Sequence, residues 1–154
     1  MKLKQYFNLN NPQHVRVMQS LMNITGLSVD ELGEIKIRMP SVMTSILTKI
    51  SKPAKNAEAM TLGKNSIFIL KKEIVDNPFQ FFSLICHELI HIVQMRKLGR
   101  IKFAAQYAKE YKKNLKTLAS PQEAYKNISF EKEAVAAQRR FMEEYKTLLL
   151  NAPK

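Results

Sequence analysis

Five residues, His87-Glu88-Leu89-Ile90-His91, constrain this chain more than any others. They spell H-E-x-x-H inside the apolar run of residues 79–93. On a helix, positions i and i+4 share a face, with Cβ atoms about 6 Å apart. Two imidazoles at that spacing can bind one Zn²⁺ at about 2.0–2.1 Å each. The Glu between them points roughly 100° away from the first His. It stands beside the metal but free of it, where it can accept a proton from a metal-bound water. This is the metallopeptidase signature, with the Glu as general base. The surroundings agree. Leu84, Ile85, Leu89, Ile90, Ile92 and Val93 make the helix apolar nearly all round, which predicts burial. Two His and a Glu buried without partners are costly, and a metal removes that cost.

Catalytic zinc sites take three protein ligands and keep one position open. His14, the remaining His of the three in the chain, lies in a polar N-terminal segment and reads as a surface helix residue. No His follows His91, so the longer pattern with a third downstream His is absent. Cys86 points to another face and reads as a small buried hydrophobe. A carboxylate is left, either Glu131 or Glu133 in the segment 129–138. Ser129 is a candidate N-cap for that helix. Phe130, Ala134, Ala137 and Phe141 form its apolar stripe. The two Glu flank opposite sides of the stripe, so periodicity does not choose between them. Small residues at 134, 136 and 137 permit close approach to the H-E-x-x-H helix.

The pairing of His87-Glu-Leu-Ile-His91 with Phe130-Glu-Lys-Glu-Ala134 resembles the gluzincin metallopeptidases, in which a Glu from a later helix joins the two His. The pattern is most similar to small bacterial and phage zincin-like proteins carrying HELxHxxQ followed by FExEA. The resemblance covers roughly residues 60–140. It implies one Zn²⁺ per chain, held by His87, His91 and Glu131 (or Glu133), with Glu88 as the base. In many gluzincins the ligand Glu has a small residue three positions on and Asp or Asn four positions on. Glu131 has Ala134 and then Val135, while Glu133 has Ala136 and Ala137. Neither keeps the acid or amide that would orient a ligand His.

The chemistry so implied is hydrolysis of peptide bonds by a zinc-activated water. Glu88 accepts the proton and passes it to the leaving amine. An oxyanion partner is expected, and Tyr107, Tyr111 and Tyr125 lie between the two motifs. Gln94, three residues beyond His91, either lines the site or satisfies a backbone group.

A chain of 154 residues with 45% hydrophobic content is one globular domain, 1–154, able to bury a core. One Cys excludes an internal disulfide framework. No run approaches about 18 apolar residues, so no membrane span is expected. The N-terminus lacks the apolar stretch of a secretory signal, which points to the cytoplasm or, for a phage protein, the host-cell interior. Twenty-five Lys and Arg against 13 Asp and Glu leave a net charge of +12. So basic a balance favours polyanions, including nucleic acid, as partners beside a peptide or protein substrate. The densest stretch runs from Arg96 to Lys116, and smaller clusters include Lys49, Lys52 and Lys55.

The expected fold is α+β and zincin-like, a small sheet of about three strands packed on the H-E-x-x-H helix, with further helices C-terminal. Residues 12–22 read as a helix ended near Gly26, 28–33 as a turn or short helix, and 34–39 as a strand. Segment 41–50 is ambiguous between helix and strand, and 51–56 is a loop. Residues 59–62 and 67–70 read as a hairpin, either strand of which can pair with an extended peptide. Asp76-Asn77-Pro78 starts the H-E-x-x-H helix and Gly99 ends it. Helices follow at 101–117 and 129–149, separated by Pro121. Two other readings fit the same residues. One is a zincin-fold binding or structural module of a phage or secretion particle, in which zinc only holds the fold together. The other is a basic protease that works on nucleic-acid-bound proteins.

Overall fold

Asn11 starts the first helix, because its side-chain oxygen accepts from the Gln13 amide and Pro12 fills the position where a missing N–H costs nothing. In the computed structural model, which describes residues 1–39 and 58–150, this helix, α1, spans Pro12–Thr25 and so outruns the expected segment 12–22. Gly26 closes it with φ 72°, a left-handed conformation that only glycine adopts without strain. Ser28 and Glu31 then cap each other's backbone and make the turn at 28–33 a true helix, α2, Val29–Glu34. The segment 41–50, the loop at 51–56 and the lysines 49, 52 and 55 lie outside the described residues.

Three short strands follow from alternating apolar positions: β1 Lys36–Arg38, β2 Ala59–Thr61 and β3 Ser66–Ile69. Their order is β1-β3-β2, with β1 parallel to β3 and β2 antiparallel to it. Ile37, Ile67, Ile69 and Ala59 point inward and are buried. The outer edge of β1 is covered by the chain's own start. Leu3 donates its N–H to the Ile35 carbonyl, and Ile37 donates to Met1. β3 is therefore the middle strand, with a neighbour on each side. This corrects one of the two expected peptide-pairing strands: 67–70 has no free edge, whereas β2 has one among the described residues.

The H-E-x-x-H segment is α3, Pro78–Leu98. Asn77 caps it by accepting from Gln80, and Gly99 ends it. Its burial is as the apolar run predicts, from Phe81 through Met95. Around it stand α1, β2 and the long last helix α6, Ser129–Leu150, which makes the most extensive of all its contacts. Between them come α4, Arg100–Thr117, and a short helix at Pro121, α5, Pro121–Lys126. Ser120 accepts from Glu123 and Pro121 takes the first helical position, so Pro121 starts a helix where the sequence reading has only a separator. Ser129 also departs from expectation. Its N–H and hydroxyl both donate to the Glu110 carboxylate, tying α6 to α4, so its hydroxyl does not cap its own helix. The described residues are α+β and mostly helical, with one three-stranded mixed sheet among them.

The close approach of α6 to α3 rests on small side chains. Ala134 is fully buried, and the Cys86 thiol lies 3.7 Å from the Ala137 carbonyl oxygen. Ala134→Leu is expected to cost about 1–3 kcal/mol in denaturant unfolding, because the interior has no room for three further carbons.

Candidate metal centre

Helical spacing on α3 puts His87 and His91 one turn apart, and α6 delivers Glu131 against both. His91 Nε2 lies 3.2 Å from Glu131 Oε1, and His87 Nε2 lies 3.3 Å from Glu131 Oε2. One ligand atom from each of the three residues falls within 4.8 Å of the others. Glu131 is 2% exposed, and its Oε2 has no hydrogen-bond partner despite the nearby imidazole. A buried carboxylate oxygen without a donor is costly. Two ligands on a tetrahedral ion at about 2.0–2.1 Å lie about 3.3–3.4 Å apart, close to both separations seen here. The three residues can therefore hold a metal ion, and the unpartnered oxygen is accounted for by one.

The packing of α6 on α3 brings Glu131, and not Glu133, against the His pair. Glu131 and Glu133 lie on opposite flanks of the stripe, and only Glu131 faces α3 at the height of the imidazoles. Glu133 meets Gln94 one turn further along, accepting from its Nε2 at 2.8 Å. His14 stays on α1, where its Nδ1 accepts from the Asn8 amide. Cys86 is fully buried, and burial pushes its thiol up to about 12.

A cleft of about 460 Å³ opens beside these residues. β2 forms one wall, with Ala59, Met60, Thr61 and Leu62. The opposite wall is α4, with Phe103, Ala104, Tyr107 and Ala108, and Glu88, His91 and Glu131 also line it. Of the four expected substrate-side residues, Tyr107 and Tyr125 line this cleft. Tyr111 and Gln94 are not among its lining residues. Tyr107 donates its hydroxyl to Glu131 Oε1 at 2.7 Å. Burial, together with the neighbouring Glu131 carboxylate, raises both phenols above their ordinary range, so both stay protonated as donors.

Thr61 is the contributor that sequence reasoning missed. Its hydroxyl lies 2.6 Å from Glu88 Oε2 and 3.1 Å from the Glu88 carbonyl. The edge strand thus touches the carboxylate between the two His. No short-range pattern marks Thr61, since it lies 27 residues upstream in a three-residue strand.

Burial raises the cost of charge on Glu131, but the imidazoles of His87 and His91 and the Tyr107 hydroxyl outweigh it and hold the carboxyl well below its ordinary range. Burial likewise opposes charge on His91, yet the bond to Glu131 and the Glu88 charge push it up to about 9. A ligand imidazole must shed its proton before it binds metal. Metal affinity is therefore expected to rise about tenfold per pH unit between pH 6.5 and about 9, then level off. Competition against a chromophoric chelator measures this, and a flat profile over that range would contradict it. Without metal the same shift has the opposite sign for the fold. The raised His91 value stabilises the folded chain fully below pH 6.5, and that contribution is lost as the pH climbs to about 9.

No protein-family model, curated protein or solved structure matches this chain. The site must therefore be judged on its own geometry. The rest of the surface adds two facts. No residue of α4 is buried, and Lys102, Lys109, Lys112, Lys113 and Lys116 are exposed along it, while Arg96 is tied to Glu31 at 2.8 Å. Among the described residues, no helix is long and apolar enough to cross a membrane.

Proposed function

We propose that this chain is a zincin-like, zinc-dependent metallopeptidase of the gluzincin kind, with Glu88 as its general base. One observation carries the reading: two imidazole nitrogens and a carboxylate converge, and two of the three, His91 and Glu131, line a cleft together with the independent carboxylate of Glu88. Two nitrogens and one oxygen are donors that suit zinc, and three protein ligands leave a position free for chemistry. A structural zinc site usually has four protein ligands, and the group found among the described residues has three. Zinc held there supplies Lewis acidity and brings the pKa of water toward about 7.

The protein's own groups do the rest. Glu88, only 4% exposed, takes a proton from the attacking water and returns it to the leaving amine. Thr61 holds that carboxylate in place by donating to it. Tyr107 is engaged with the ligand Glu131, which leaves Tyr125 beside it as the candidate donor to the developing oxyanion. An extended substrate lies along the edge of β2 that has no partner among the described residues, held by backbone pairing with little demand on its sequence.

The test is cleavage of a mixed library of fluorogenic peptides by the purified chain, before and after chelation and after zinc is restored. Activity that chelation abolishes and zinc restores supports the reading. Metal binding without cleavage of any peptide points to the non-catalytic module.

A further inference from the structure

Gln94 and Glu133 carry no task in the proposed chemistry, yet each is held in a specific place. Gln94 is 5% exposed and lies one turn beyond His91 on α3. Its Oε1 is 2.8 Å from His91 Nδ1. Its Nε2 donates to the Phe130 carbonyl at 3.2 Å and to Glu133 Oε2 at 2.8 Å. A side-chain amide has two donor hydrogens and one acceptor oxygen. Here both hydrogens are taken by acceptors on α6. Turning the amide over would set its oxygen against a carbonyl and a carboxylate, both of which only accept. The oxygen is thus held toward the ring. Because that oxygen only accepts, His91 Nδ1 must be the nitrogen that carries hydrogen. Nε2, 3.2 Å from Glu131 Oε1, is then the nitrogen that gives up its proton and turns its lone pair to a metal when one binds.

We propose that Glu133 is a positioning residue for the metal centre: through Gln94 it holds His91 in the form and orientation that bind metal. The proposal rests on the metal reading above. It also accounts for the missing Asp or Asn four residues beyond Glu131. The orienting group comes instead from the ligand helix itself, as Gln94, and Glu133 fixes which end of that amide meets the ring. A carboxylate two residues past the ligand can do this because α6 turns it to the flank where Gln94 emerges.

Zinc affinity by chelator competition tests this, on wild type, Glu133→Ala, Glu133→Gln and Gln94→Met. Glu143→Ala, an exposed change on the same helix, is the control. Glu133 is itself exposed, so its replacement leaves the core untouched. Glu133→Ala is expected to weaken zinc binding about tenfold and Gln94→Met at least as much, the range seen when groups that orient a ligand are lost. Glu133→Gln keeps an oxygen that accepts from Gln94, and its affinity is expected to stay within about threefold of wild type. With cobalt in place of zinc, the exchangeable Nδ1 proton of His91 gives a shifted resonance. That resonance is expected to persist in wild type and Glu133→Gln and to vanish into fast exchange in Glu133→Ala. Unchanged affinity in Glu133→Ala would overturn the proposal. So would an equal loss in Glu133→Ala and Glu133→Gln, since that would be an effect of charge rather than of the hydrogen bond. A wild-type chain that binds neither zinc nor cobalt would bring down the metal reading as well.

Discussion

Glu88→Gln is expected to abolish peptide hydrolysis while leaving metal content and thermal stability close to wild type. The substitution keeps the size of the side chain and an oxygen able to accept from Thr61, so the packing between α3 and β2 survives. What it removes is the ability to take a proton from water. General-base catalysis is worth roughly 10² to 10⁴ in rate, and a loss in that range is expected in kcat with KM little changed. A variant that cleaves as fast as wild type would show that another group serves as the base.

Glu131→Gln is expected to act on binding rather than on rate. A neutral amide is a far weaker ligand for Zn²⁺ than a carboxylate, and only two imidazoles would remain. Zinc affinity should fall by more than the roughly 10- to 100-fold typical of losing a group that merely orients a ligand. The change also removes the partner that most strongly raises His91. The metal-free variant should therefore lose much of the pH dependence of stability between 6.5 and about 9 that is expected of the wild type, with Glu88 and Gln94 keeping the remainder. If Glu131→Gln keeps zinc at wild-type affinity while Glu133→Gln loses it, the two carboxylates have been assigned the wrong way round.

Local pattern carried some of this molecule further than the rest. H-E-x-x-H lies within one turn and a half of helix, so its spacing alone brings the two His to one face and sets the Glu aside from them. The same short-range logic finds the helix start at Asn77-Pro78 and the hairpin of β2 and β3. It stops where the answer depends on rotation between elements. Glu131 and Glu133 are equivalent in any reading of α6 alone, and only its packing on α3 sets Glu131 against the His pair and Glu133 against Gln94. Strand order is hidden for the same reason. The sequence shows two strands of a hairpin, but only the parallel pairing of β1 with β3 makes β2 an edge strand among the described residues. Thr61 and the Gln94–Glu133 contact span 27 and 39 residues and follow no period. At Pro121 the local rule points two ways, since proline both ends one helix and suits the start of the next.

Metal content of the purified wild-type chain beside His87→Ala, measured after metal-replete preparation, tests the central claim most directly. One zinc per wild-type chain, absent from the variant, is the result expected from three converging ligands. No zinc in the wild type would contradict the account, and would leave the buried, unpartnered Glu131 oxygen without an explanation.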